Sequence, residues 1–226
     1  MARTVKPDEH AARRTEILRA AVELMRDKGY ERMTIDDVLA KTGMSKGALY
    51  HYFRSKYALL EGVVMAIGND GLDELQGVVD DPKLAAIDKL HAYFRAEGAL
   101  KAQNVTAVST VMRLHRNENN ALLRQKLTAE SMRTTVPMLE AIVRQGCAEG
   151  VFDTEYPHEA AVILAGMAIQ LTDAFIEAID ADGGVGADVS GLHIQRVLAA
   201  YFQAFERVLG APPGSLASWA KQHARG

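Results

Sequence analysis

Residues 34–53 read Thr34-Ile-Asp-Asp-Val-Leu-Ala-Lys-Thr-Gly-Met-Ser-Lys-Gly-Ala-Leu-Tyr-His-Tyr-Phe53. Thr34 stands before an apolar run and is followed three residues later by Asp37, a capping-box pattern. The hydroxyl accepts from an early helical amide, and the carboxylate favours the positive end of the helix dipole. A helix therefore starts at Ile35, with Ile35, Val38 and Leu39 at the i, i+3, i+4 spacing of one inward face. Gly43 comes about two turns later and tolerates the positive φ needed to stop one helix and begin another within a few residues. Ser45 can cap a second helix over residues 46–52, and Leu49 and Phe53, four apart, anchor it to a core.

The outward side of that second helix carries Lys46, Gly47, Ala48, Tyr50 and His51. Two short helices joined by a glycine turn make a helix-turn-helix, whose second helix reads DNA in the major groove. Gly47 and Ala48 let the backbone approach closely, while Ser45, Lys46, Tyr50 and His51 can donate to phosphates or base edges. Upstream, Arg14 to Tyr30 reads as an amphipathic helix with Ile17, Ala21, Leu24 and Met25 on one side and Gly29 at its end. Downstream, Ser55 caps a helix carrying Leu59, Leu60, Val63, Val64 and Ile67. The extension before Arg14, with Arg3, Lys6 and Arg13, reads as a disordered terminus. Residues 1–60 hold 12 Lys and Arg against 8 Asp and Glu, whereas residues 61–226 hold 14 against 21. A basic head on an acidic body fits a phosphate-facing domain joined to something that is not.

The run Arg14-Thr-Glu-Ile-Leu-Arg-Ala-Ala-Val-Glu-Leu-Met25, then Lys28-Gly-Tyr30, then Thr34 through Leu60, resembles the N-terminal domain of the tetracycline-repressor (TetR) family of bacterial transcription regulators. It is a long series of matched positions with fixed spacing, confined to the first quarter of the chain. The resemblance implies an all-α protein with a three-helix helix-turn-helix domain and its N-terminal arm at residues 1–56. A helical effector-binding and dimerisation domain at 57–210 and a tail at 211–226 complete it. It implies phosphate contacts from Thr34 and Lys56, with Ser45, Lys46, Gly47, Ala48, Tyr50 and His51 on or near the groove. The implied partners are double-stranded DNA bearing an inverted-repeat operator, a second copy of the chain in a homodimer, and a small-molecule effector of apolar or amphipathic character. The implied activity is repression relieved by that effector; the alternatives are a repressor that binds DNA without any ligand and, behind it, an all-helical enzyme.

Beyond residue 60 the pattern is helical, with breaks at Asp80-Asp-Pro82, Asn117-Glu-Asn-Asn120, Gly150, Tyr156-Pro157, Gly183-Gly184 and 210–214. One helix is expected from Ser55 to Val79, and a longer one over 120–149 that kinks ahead of Pro137. Helices over 158–180 and 190–209 are apolar round much of their circumference, so each needs cover on two sides. One side rests on its own domain and the other on a partner, which marks Leu164, Ala168, Leu171, Phe175, Val197, Tyr201 and Phe205 as candidate dimer contacts. Bundle cavities are mostly apolar with a few placed polar groups. On that basis His91, His115, Gln170 and Asp173 mark a candidate effector site, lined by Phe94, Met112 and Met138.

The single Cys147 excludes an intramolecular disulfide. No run of about eighteen apolar residues and no signal-peptide core is present, so a cytoplasmic protein without membrane partners is expected. A Gly-rich phosphate loop, a His-Glu-x-x-His pair and a Gly-x-Ser-x-Gly elbow are all missing, and no catalytic residue, cofactor or metal is expected.

Overall fold

The computed structural model describes residues 7–103, 121–181 and 192–216. Among these are nine helices and no strand: α1 (Pro7–Arg32), α2 (Ile35–Thr42), α3 (Lys46–Tyr52), α4 (Lys56–Asp70), α5 (Leu72–Asp80), α6 (Ala86–Gln103), α7 (Ala121–Ala148), α8 (Pro157–Ala181) and α9 (Leu192–Leu209). They fall into two compact units, one built on α1 to α4 and the other on α5 to α9.

In the first unit α1 packs against α2 and α4. Ile17, Leu18, Ala21 and Met25 of α1 are buried, as are Val38, Leu49, Phe53, Leu59, Leu60 and Val63. Because Leu59, Leu60 and Val63 lie on α4, that whole helix belongs to the first unit, which reaches Asp70 and not only residue 56. Helical geometry in α1 is interrupted at Gly29, which takes φ 77° as a stop signal there requires. At its other end α1 begins at Pro7, so residues 7–13 are helical where an irregular terminus was expected. The sequence Pro7-Asp-Glu accounts for this: proline suits the first helical position and acids suit the positive end of the dipole. Arg3 and Lys6 lie outside the described residues.

The helix expected over 55–79 is two helices, interrupted at Gly71, where a Cβ would stand 2.5 Å from a δ-carbon of Leu100. The second unit closes round an aromatic cluster. Phe94 stacks on Phe205 with ring centroids 5.1 Å apart, and Phe202 meets both edge-on. Leu90, Leu139, Ile142, Leu164 and Leu209 complete this core without solvent exposure. α7 continues through Pro137, whose ring is on an exposed position.

Polar links hold the ends of these helices. The buried Lys89 ammonium donates to the Val79 carbonyl near the end of α5, and the Glu149 carboxylate accepts from the Ala86 amide at the start of α6 (2.9 Å). Glu206, 5 % exposed, accepts from the amides of Gly214 (2.9 Å) and Leu216 (2.8 Å). With Ala211 and Leu216 buried, residues 211–216 are part of this core and not a loose tail.

Leu164, Ala168 and Phe205, expected at a dimer contact, lie in that interior, covered by their own chain. A stripe buried within one chain and a stripe offered to a partner have the same 3.6-residue period, so spacing alone could not separate them. Leu171, Val197 and Tyr201 are half-buried, and the side chain of Phe175 is outside what the structure describes. Among the described side chains of α8, the large apolar ones that are exposed are Val162 and Ile163, at 37 % and 49 %.

α7 passes so close to Phe152 that a Cβ on Gly146 would sit 2.0 Å from a ring carbon. Gly146→Ala is therefore expected to destabilise the chain by about 1–3 kcal/mol through overpacking, a net loss even though alanine is the better helix former. A lowered urea midpoint is the measurement.

Candidate nucleic-acid interface

The candidate site is the α2–turn–α3 segment, and its geometry begins with the cap on α2. Thr34, in extended backbone conformation, accepts from the Asp37 amide (3.1 Å) through its hydroxyl and donates to the Asp37 carboxylate from both its amide and its hydroxyl (2.7 Å each). Lys28 of α1 reaches the same carboxylate at 2.6 Å. The Lys28 hydrogen bond first, and the two from Thr34 after it, hold the Asp37 carboxyl at about 2. Lys41 of α2 pairs with Glu23 of α1 at 2.7 Å, and the Arg13 guanidinium donates to the Thr42 carbonyl at 3.4 Å. Each surface link is weak by itself. Together they fix α2 along α1 at three separate points.

Gly43 closes α2 in the left-handed region, φ 65°. Two residues later the Ser45 side chain accepts from the Ala48 amide (3.3 Å) and starts α3. Leu49 is fully buried, and the Phe53 amide donates to the Leu49 carbonyl (3.0 Å) to end the helix. Lys46, Gly47, Tyr50 and His51 are exposed, with Tyr50 at 39 %, and Ala48 is half-buried. The structure thus brings the groove-facing candidates together on one short surface helix. Apart from its chain neighbours and the backbone of its own helix, no atom of the described residues lies within 4 Å of a Cβ built on Gly47. Nothing in the fold calls for glycine there, and glycine is a poor helix former. Close approach of something outside the chain is a physical reason to keep it.

Two residues expected at phosphates are engaged inside the domain. Both polar groups of the Thr34 hydroxyl serve the cap. The Lys56 ammonium donates to the Glu31 carbonyl (3.1 Å) and lies 4.3 Å from the centre of the Tyr30 ring, tying α4 to the end of α1. Sequence reasoning missed Lys28, Glu23 and Arg13 as partners of α2. Their contacts join residues on different helices, and no spacing rule reaches across such a gap.

Of the effector candidates, His91, Phe94, Met138, Gln170 and Asp173 lie on the second unit. Phe94 and Met138 are in its core. His91 and Asp173 are half-buried, and the His91 Nε2 and Asp173 Oδ1 atoms are shielded from solvent with no hydrogen-bond partner. Gln170 is exposed, and Met112 and His115 lie outside the described residues. Lys101 and Thr172 bridge α6 and α8 at 2.7 Å, one residue from Asp173. Among the described residues no three His, Cys, Asp or Glu side chains converge as metal ligands, and no helix is long and apolar enough to cross a membrane.

Residues 17–63 match the family of bacterial regulatory proteins called the tetR family. That match lies within the helices of the first unit, α1 to α4. The HTH-type transcriptional repressor KstR2 of Mycolicibacterium smegmatis is 33 % identical over 93 residues, 40 % of this chain and 43 % of the relative. The HTH-type regulator YvdT of Bacillus subtilis is 32 % identical over 71 residues, 31 % of this chain and 37 % of the relative. The aligned part thus spans less than half of either relative. A crystal structure of a TetR/AcrR-family regulator from Thermobifida fusca superposes with a TM-score of 0.58 at 24 % identity, covering 88 % of this chain and 96 % of that one. That likeness extends the shared fold beyond the first domain.

Two outcomes follow from this geometry. Gly47→Ala is expected to raise the stability of the free chain by up to about 1 kcal/mol while lowering its affinity for duplex DNA, read by urea unfolding and by fluorescence anisotropy. Asp37 has its carboxyl depressed from 3.8 to about 2, so its contribution is present above about pH 4 and is lost as pH falls towards 2. The difference in urea midpoint between the native chain and Asp37→Asn should be constant near neutrality and shrink across that acid window.

Proposed function

We propose that this chain is a transcriptional repressor that binds an inverted-repeat operator as a homodimer and is released by a small-molecule effector. The observation that carries the reading is the outward face of α3, where Lys46, Tyr50 and His51 surround a glycine that the fold itself does not use. A short helix with that face suits the major groove, with Lys46 on a phosphate and Tyr50 and His51 divided between phosphate and base edges. Thr34 and Ser45 set the helix ends, and Lys56 holds the following helix in place. Twofold pairing of two such chains requires two half-sites about one turn of DNA apart, or a little more. The half-buried Leu171, Val197 and Tyr201, with the exposed Val162 and Ile163, are among the apolar side chains available to a partner copy.

The second unit holds the effector. Polar atoms shielded from water and left unpaired cost about 1–3 kcal/mol each, so His91 and Asp173 favour a molecule that supplies their partners while its apolar part meets the bundle. Such a molecule releases DNA only through its different affinity for the operator-competent and incompetent arrangements, commonly about 1–3 kcal/mol of coupling.

Selection of genomic DNA fragments by the purified chain tests the reading directly. Enrichment of an inverted repeat is the expected result, and enrichment of no sequence at low ionic strength defeats it. On the selected site, Lys46→Ala should weaken binding and reduce the salt-dependence slope by about 1 for each Lys46 engaged.

A further inference from the structure

Seven residues of α3 are too few to hold a direction by themselves, since isolated helices shorter than about 12–15 residues are marginal in water. Its buried anchors are Leu49 within the helix and Phe53 at its C-cap, in extended backbone. One anchor on a face and one at an end set the depth of a helix and leave it room to roll. At 100° per residue, Tyr52 stands about 60° to one side of Leu49 and Tyr50 about 100° to the other. A stop on Tyr52 therefore fixes where Tyr50 points.

His10 of α1 supplies that stop. The Tyr52 ring stacks on the ring of His10, centroids 4.5 Å apart and planes 24° from parallel. One turn further along α1, Arg13 donates to the Thr42 carbonyl at the end of α2 and pairs with Glu16. The first turns of α1 thus touch both helices of the reading pair. They do so from an exposed position: His10 is not a core residue, and its removal leaves no interior cavity.

We propose that His10 is a positioning residue for DNA recognition, holding the roll of α3 by stacking on Tyr52, with Arg13 fixing α2 from the same stretch of α1. The inference rests on the DNA-binding reading above and adds to it a residue that touches no DNA. Aromatic stacking needs a flat ring at position 10 and no hydrogen-bonding nitrogen, so phenylalanine can replace histidine and alanine cannot.

The test uses the full chain and the inverted-repeat duplex recovered by genomic selection, with affinity followed by anisotropy across a salt series and stability by thermal melting. His10→Ala should bind about three- to tenfold more weakly, with the salt slope unchanged and the melting temperature lowered by no more than a few degrees. His10→Phe should recover the native affinity. The proposal is overturned if His10→Ala binds like the native chain or if His10→Phe is as weak as alanine. A flattened salt slope in His10→Ala also overturns it, because that marks a direct phosphate contact. Native-level binding by His10→Ala leaves the DNA reading standing, whereas a native chain that retains no duplex removes both.

Discussion

The Asp37 carboxylate receives the Thr34 amide, the Thr34 hydroxyl and the Lys28 ammonium, and in doing so joins the start of α2 to the closing turns of a different helix. The first two donors are local and define where α2 begins. The third is tertiary and defines how α2 lies along α1. The orientation of the reading helix follows from this, because α3 leaves α2 through a turn of only three residues, Gly43 to Ser45, and buries one of its own side chains. With α2 placed by Lys28, Glu23 and Arg13 of α1, Leu49 sets the depth of α3 and the Tyr52–His10 stack its roll. The outward side chains Lys46, Tyr50 and His51 sit on two turns of helix that are held by contacts strung along α1 from His10 to Lys28.

The second unit is organised on other terms. Its interior is held by aromatic rings and aliphatic side chains, with Phe94, Phe202 and Phe205 in mutual contact. Its buried charges meet backbone groups: Lys89 the Val79 carbonyl near the end of α5, and Glu206 the amides of Gly214 and Leu216. A buried charge is tolerable when it satisfies backbone groups that would otherwise be orphaned. His91 and Asp173 depart from that economy, since each keeps a shielded polar atom without a partner. Groups of that kind are places where a bound molecule gains hydrogen bonds that the fold has not used.

Most of the first unit was legible in the sequence because its signals are local. Thr34 with Asp37, Gly43, Ser45 and the Leu49–Phe53 pair act within one or two helical turns, and caps and turns depend on chemistry that adjacent residues supply. The helix starting at Pro7 was written there as well, in a proline followed by two acids, but the polar run after it masked the signal. The single helix expected over 55–79 failed for a reason outside its own residues. Gly71 is where Leu100 comes in, and a helix pattern does not announce what will pack against it.

What the residues determined by themselves was the order and kind of elements, the caps, the turn, and a reader helix with lysine, glycine, tyrosine and histidine outward. These are short-range consequences of periodicity and hydrogen bonding. The tertiary structure alone decided which apolar stripes are interior, sending Leu164, Ala168 and Phe205 into the core, and gave Lys56 a carbonyl and a ring inside the domain. It also brought His10 against Tyr52 across forty residues of chain. Such pairings follow from how helices pack, and packing depends on the shapes of all the faces at once.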